Sequence, residues 1–300
     1  SNIVGHVSEG KMMSSTFGIA GIQMQVSAFT SNVEQMGNYM RHIRMRFPWV
    51  KMVLFSELAP LGPKHHMAEA LPSQTEAQLA ELARETGLWV IPGSLFERTE
   101  GPDGEIVYNT LSVINPEGQF VARYRKMFPF RPYEKDVAGG DQFCVFDVPD
   151  VGRFGVSICY DMWFPETTRT LAAMGAEVIL HPTMTDTIDR DVELAIARAS
   201  AAQNQVYFID INGVGDGGNG RSIVVDPSGY VLHQSEAGAE IIPIEIDLEK
   251  VRRERRRGLR SLGQPLKSFR DRDCHFTVYQ KDNTEFPYLD SLGPLVKPED

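Results

Sequence analysis

The sequence predicts an α/β sandwich in which two sheet layers are covered on the outside by helices. Three observations predict it. Short β-type runs outnumber helical runs, the two kinds alternate along the chain, and no repeat, low-complexity tract or long linker interrupts residues 17–247. Strands that outnumber the helices yet stay interleaved with them argue for two packed sheets over a simple doubly wound sheet.

The elements follow in order. Residues 17–23 read as the first strand. The next segment places Val33, Met36, Met40, Ile43 and Phe47 on one helical face, which Pro48 ends, and residues 52–55 are a buried strand. Ser73 with Glu76 three residues on is a capping-box pattern. Leu79, Leu82 and Ala83 continue it as an apolar stripe until Gly87 stops the helix. Strands are expected at 89–91, 107–114, 120–124, 143–148, 154–158 and 178–180. Val192, Ala195, Ile196 and Ala199 signal a further helix, and strands at 206–211, 222–225, 230–233 and 240–246 complete the series. Asn115-Pro116-Glu117-Gly118 and Asp226-Pro227-Ser228-Gly229 are turns between them. Residues 1–16 lack the features of a secretory signal and read as a flexible arm; residues 248–300, rich in Pro, Gly and Arg, read as an extended tail.

Apolar residues make up 42% of the 300 and charged residues 23%, with no apolar run long enough to span a membrane, so a soluble domain is expected. Three cysteines, an odd number with no close pair, argue against a disulfide framework and fit a reducing, cytoplasmic compartment. The seven histidines and three cysteines show no metal-ligand spacing, so no metal is expected. A formal charge of −10 disfavours a general polyanion binder and favours small molecules. Against that stands the run Arg252-Arg253-Glu254-Arg255-Arg256-Arg257 with Arg260, readable as a nucleic-acid or acidic-partner site. A solvated basic segment, or a tail packed on a neighbouring subunit, is the alternative the acidity favours.

Three segments carry candidate chemistry. The strand at 154–158 runs into Cys159-Tyr160-Asp161-Met162-Trp163-Phe164-Pro165-Glu166, placing a thiol at a strand end where backbone N–H groups favour thiolate and an oxyanion. A free cysteine is also a common buried filler, and local context leaves both roles open. A thiol nucleophile needs a base. His181, at the end of a neighbouring strand, is one candidate to line a pocket, with a satisfied structural histidine as the alternative. Glu57, in Phe55-Ser56-Glu57-Leu58-Ala59-Pro60, is an acid flanked by apolar residues, and desolvation raises a carboxylate into the range of a general base. Lys126 follows a strand and opens the rigid loop Met127-Phe128-Pro129-Phe130-Arg131-Pro132-Tyr133-Glu134, where a fixed ammonium stabilises negative charge. Each of the two charged residues also reads as an ordinary surface group when taken alone.

Together, in this order and spacing, the segments resemble the nitrilase (carbon–nitrogen hydrolase) superfamily over about residues 17–247. The match rests on the Glu at an apolar strand end, the Tyr124-Arg125-Lys126 run, and Cys159-Tyr160-Asp161 with Phe164-Pro165-Glu166 behind it. Ala202-Gln203-Asn204-Gln205 and the Gly-rich 215–222 support it. The resemblance implies a four-layer α-β-β-α sandwich that dimerises or forms a higher homo-oligomer, and a Glu57-Lys126-Cys159 triad of base, oxyanion-stabilising cation and nucleophile. It implies that Glu134 orients substrate and that no metal or organic cofactor is needed.

Within the superfamily, an aromatic residue and Asp after the cysteine, here Tyr160-Asp161, point to amides in preference to nitriles. The loop from Lys126 is similar to aliphatic amidases and formamidases, whereas the segment from Cys159 is closer to omega-amidase and N-carbamoylputrescine hydrolase relatives. Met162 and Trp163 stand where carbamoyl-amino-acid hydrolases carry arginines. Tyr160 and Trp163, with Phe128, Phe130 and Tyr133, are candidates for an aromatic rim around a small amide substrate, or for core packing.

Overall fold

The computed structural model describes residues 15–280 and 286–298. Of the expected arm at 1–16, only the last two positions fall among these, and both are engaged. Ser15 Oγ donates to Asp247 Oδ1 at 2.7 Å, and Thr16 opens the first strand opposite Asp247.

The first half comprises β1 (Thr16–Gln23), the two-residue β2 (Gln25–Val26), α1 (Val33–Arg46), β3 (Val50–Phe55), α2 (Gln74–Thr86) and β4 (Trp89–Ile91). It closes with β5 (Leu95–Gly101), β6 (Gly104–Ile114) and β7 (Phe120–Arg125). Next come β8 (Cys144–Val148), β9 (Gly152–Val156), α3 (Pro165–Ala173), β10 (Val178–Pro182), α4 (Asp189–Asn204) and β11 (Tyr207–Ile211). The last are β12 (Val214–Gly215), β13 (Ile223–Val225), β14 (Val231–Gln234), β15 (Glu240–Asp247), α5 (Leu248–Arg257), α6 (Pro265–Asp271) and the short α7 (Pro287–Ser291).

One sheet runs β15-β1-β3-β4-β6-β5 with β7 on β6; the other runs β14-β13-β11-β10-β9-β8. Within the first, β1, β3 and β4 are parallel; within the second, β9, β10 and β11 are. The alternation of side chains along each strand divides the core into three layers. Ile19, Met52, Leu54 and Val113 from the first sheet meet Phe154, Val156, Leu180 and Ile209 from the second. The opposite face of the first sheet, with Ile22, Val53 and Phe55, packs on Met36, Met40, Leu79 and Ala83 of α1 and α2. The outer face of the second, with Ile179 and Phe208, packs on Leu171, Ala172, Leu194 and Ala197 of α3 and α4. The result is the expected helix-sheet-sheet-helix sandwich.

Local signals explain most elements. Ser73 Oγ accepts from Glu76 N at 3.2 Å, and Gly87 caps α2 in the left-handed region at φ 67°. Three expectations change. In α4, Arg190, Glu193, Leu194, Ala197, Ala201 and Asn204 face inward, whereas Val192, Ala195 and Ala199 are exposed. The helix is turned by about one position because its buried face carries charge: Arg190 Nη1 pairs with Asp210 Oδ2 at 2.9 Å and with Glu193 Oε1 at 3.2 Å. β5, whose outward positions are charged, pairs along its whole length with β6 as a hairpin.

The segment from 248 is not extended at its start. It opens as α5, capped by Asp247 and anchored by buried Leu248 and Val251. The arginine run lies on this helix: Arg252 pairs with Glu177 at 2.8 Å, and Arg255 donates to the carbonyls of Gln205 and Ala176. Several of its charges therefore pack the domain against its own chain. No described helix is long and apolar enough to cross a membrane.

Candidate active site

The parallel strands of the two sheets end on the same side, and their C-terminal ends supply the site. Glu57 lies two residues past β3, Cys159 three residues past β9, and Thr183–Thr185 directly past β10. Glu57 N donates to Thr183 O at 3.1 Å, so the ends of the two facing sheets are fastened together at this point.

Lys126 follows β7 and reaches under that junction. Its Nζ sits 2.9 Å from Glu57 Oε2 and 2.9 Å from Glu134 Oε1, and Asn109 Nδ2 of β6 donates to the same Glu57 oxygen at 2.8 Å. Glu134 Oε1 also accepts from Phe130 N at 3.1 Å, which folds the loop back on itself. Lys126 and Glu57 are 1% and 2% exposed. Burial opposes the lysine's charge, but the adjacent Glu57, Cys159 and Glu134 outweigh it and hold the ammonium well above its ordinary range. For Glu57, burial is the dominant influence and raises its carboxyl above the ordinary glutamate range, although Lys126 pulls the other way.

Cys159 occupies the left-handed region at φ 45°, a strained position for a side-chain-bearing residue that persists only when its surroundings enforce it. Two groups enforce it here. Asp161, fully buried, accepts from Ile158 N at 2.9 Å and from Phe128 N at 2.9 Å, and takes a further hydrogen bond from Tyr124 OH. His181 Nε2 lies 3.1 Å from Cys159 O, and its Nδ1 lies 2.7 Å from Ser157 Oγ. The assignment in which Nε2–H donates to the carbonyl and Nδ1 accepts from Ser157 satisfies both contacts with a neutral ring. Burial pushes the His181 pKa down to about 3, in keeping with that neutral form. Burial and the charge of Glu57 raise the Cys159 thiol well above its ordinary range, with Lys126 opposing. The resting arrangement thus sets a charged ammonium beside a neutral thiol.

A cavity of about 390 Å³ opens onto Sγ. Of the residues singled out in the sequence, Glu57, Glu134, Cys159, Tyr160 and Trp163 line it, and Lys126 stands directly behind the two glutamates. His181 does not. It is fully buried beneath the Cys159 carbonyl, so its expected pocket role gives way to the structural one. Tyr160, Phe130 and Tyr133 form an aromatic rim with ring centroids 4.9 Å apart in successive pairs, while Phe128 stacks on Phe164 at 3.7 Å.

Four contributors were not anticipated as site residues. Asn109, fully buried in β6 beside the buried Thr110, holds Glu57 from a strand 52 residues away in sequence. Asp161 holds the turn, Thr185 Oγ1 lies 3.8 Å from Sγ, and Glu193 accepts from Trp163 Nε1 at 3.3 Å on the cavity wall. Glu193 and Arg190 mark the buried face of α4 as charged, against the apolar pattern.

A profile of the carbon–nitrogen hydrolase family matches residues 18–256. The chain is 30% identical over 256 residues to human omega-amidase NIT2, covering 79% of this chain and 90% of that protein. It is 34% identical over 196 residues to a nitrilase of Pyrococcus abyssi, covering 63% and 71%. Among solved structures it resembles Saccharomyces cerevisiae Nit3, of the nitrilase superfamily, with TM-score 0.73 and 25% identity over 82% of this chain and 96% of that one. A carbon–nitrogen hydrolase of Helicobacter pylori G27 matches at TM-score 0.74 and 25% identity, over 87% and 96%.

Proposed function

The chain belongs to the carbon–nitrogen hydrolase family of the nitrilase superfamily, in its amidase-like branch, and on that premise we propose that it cleaves a small carboxamide to acid and ammonia through a thioester on Cys159. As a member it is a hydrolase of carbon–nitrogen bonds other than peptide bonds. The observation that carries the finer reading is the buried Lys126 ammonium 2.9 Å from both Glu57 and Glu134, behind a cavity floored by Cys159.

In this reading Glu57 takes the thiol proton as Sγ attacks the amide carbon, forming the C–S bond and moving the carbonyl π pair onto oxygen. Lys126 and the backbone N–H of Tyr160 stabilise that oxyanion. Collapse expels the amine nitrogen, which carries away the proton from Glu57 as ammonia. Water then attacks the thioester, giving its proton to Glu57; the thiolate leaves and is reprotonated, and the acid departs. Glu134, held on Lys126, is placed to accept a hydrogen bond from the substrate NH₂. Because burial raises Glu57 above the ordinary glutamate range, it is a stronger base than a solvated glutamate. A homodimer or higher homo-oligomer in the cytoplasm belongs to the same proposal, and the three free cysteines among the described residues are in keeping with that reducing compartment.

Matched amide and nitrile pairs, assayed with ammonia detection, test the branch. Consumption of the amide with the nitrile untouched supports the proposal, and preference for the nitrile overturns it.

A further inference from the structure

We propose that the cavity selects amides whose far end carries a positive charge, an ammonium or guanidinium, and that Glu193 and Asp189 at the start of α4 are the residues that select it. This rests on the amidohydrolase reading and names the substrate class of the same site.

Two independent observations support it. The first is charge. The cavity is lined by five carboxylates, Glu57, Glu134, Asp186, Asp189 and Glu193, and its described lining contains no lysine or arginine. The two cations in contact with these acids do not cancel them. Lys126 is shared by Glu57 and Glu134, each at 2.9 Å, and Arg190 is shared by Glu193 at 3.2 Å and the fully buried Asp210 at 2.9 Å. Asp186 is exposed and Asp189 half-buried, with Asp189 Oδ2, among the described residues, accepting only from Thr187 Oγ1 at 3.3 Å. A substrate carboxylate entering this space would be desolvated beside like charges, with the nearest ammonium already committed to two carboxylates.

The second is the company those acids keep. Trp163 Nε1 donates to Glu193 Oε2 at 3.3 Å, so the indole and the carboxylate form one wall, and the rings of Phe96, Tyr133 and Tyr160 line the same cavity. Aromatic faces beside carboxylates recognise cations, since both present negative potential while the rings shed water from the ligand's stem. Glu134 orients the amide, and the acids of α4, which line the same cavity, hold the charged end. The chain's overall charge of −10 draws the same ligands in from solution.

The test compares three amides of equal chain length, 5-aminopentanamide, pentanamide and 4-carbamoylbutanoate, on the wild-type protein, Glu193→Gln and Asp189→Asn. Expected is a kcat/KM at least tenfold higher for the ammonium amide than for the neutral one, with the carboxylate amide slowest. That preference should fall at least tenfold in Glu193→Gln and measurably in Asp189→Asn, chiefly through KM. Equal or better turnover of the neutral or anionic amide by the wild type, or an unchanged preference in both variants, overturns the charge selection alone. No ammonia from any of the three, nor from acetamide, overturns the amidohydrolase reading instead. A turnover-free arm separates the two further: n-butylammonium, and not butanoate, should slow alkylation of Cys159 followed by peptide mass, and equal protection by both overturns the selection.

Discussion

The carboxylate of Asp161, two residues past Cys159, accepts the phenolic hydrogen of Tyr124, two residues before Lys126. Through this one contact the turn that presents the thiol and the strand that delivers the ammonium are fixed to each other, although they come from different sheets. Asp161 also fastens both ends locally, to Ile158 N and Phe128 N. Asp161→Ala should therefore lower kcat by about 10²-fold with a smaller change in KM, because misplacement of catalytic groups by about 1 Å is that costly. Tyr124→Phe, which removes one of the three hydrogen bonds, should have the milder effect. Steady-state kinetics on both variants check the order.

Lys126 is bonded to two buried or part-buried carboxylates. Its removal in Lys126→Ala leaves them facing each other without a cation, which should destabilise the fold by about 3–5 kcal/mol as well as abolish measurable turnover. Urea unfolding gives the first quantity and an ammonia assay the second. A variant as stable as the wild type would mean that the glutamates are protonated at rest.

The base must be ionised to accept the thiol proton, and burial raises the Glu57 carboxyl above the ordinary glutamate range. The acid limb of kcat/KM should accordingly fall as pH drops through that raised value, at a higher pH than a solvated glutamate would give. A pH–rate profile in buffers of constant ionic strength measures it.

His181 gives a stability prediction of defined sign. Its folded pKa lies at about 3 against an ordinary 6.5, so the unfolded chain binds more protons between those values. Its contribution is present above pH 6.5 and is lost as pH falls toward 3, at up to about 1.4 kcal/mol per pH unit. Denaturation midpoints measured from pH 7 to pH 4 should fall less steeply in His181→Asn than in the wild type.

Most of the sandwich was legible because its strands are apolar runs bounded by strong turns, and because α1 and α2 carry clean stripes with a cap. The face of α4 was not legible. A buried Arg190–Glu193–Asp210 cluster stands where hydrophobic periodicity expects apolar side chains, and only the fold reveals that one guanidinium is shared by the two carboxylates. The arginines of α5 misled for a related reason: a basic run reads as a tail until Glu177 and two backbone carbonyls are seen to accept from it. At the site, Glu57, Lys126 and Cys159 were found as three weak local signals and a resemblance, and the structure brings them together. Asn109 and Asp161 escaped because their partners are 52 and 37 residues away in sequence, and no local pattern encodes such a contact. His181 stands at a strand end as expected, and of the two roles open to it the structure gives it the one beneath the Cys159 carbonyl, outside the cavity lining.

The most direct test of the account is whether an acyl group passes through Cys159. Rapid quenching of the protein with excess amide, followed by digestion and peptide mass analysis, should show the acyl mass on the peptide containing Cys159, and Cys159→Ala should give neither adduct nor ammonia while keeping its fold. Ammonia release that continues in Cys159→Ala would contradict it.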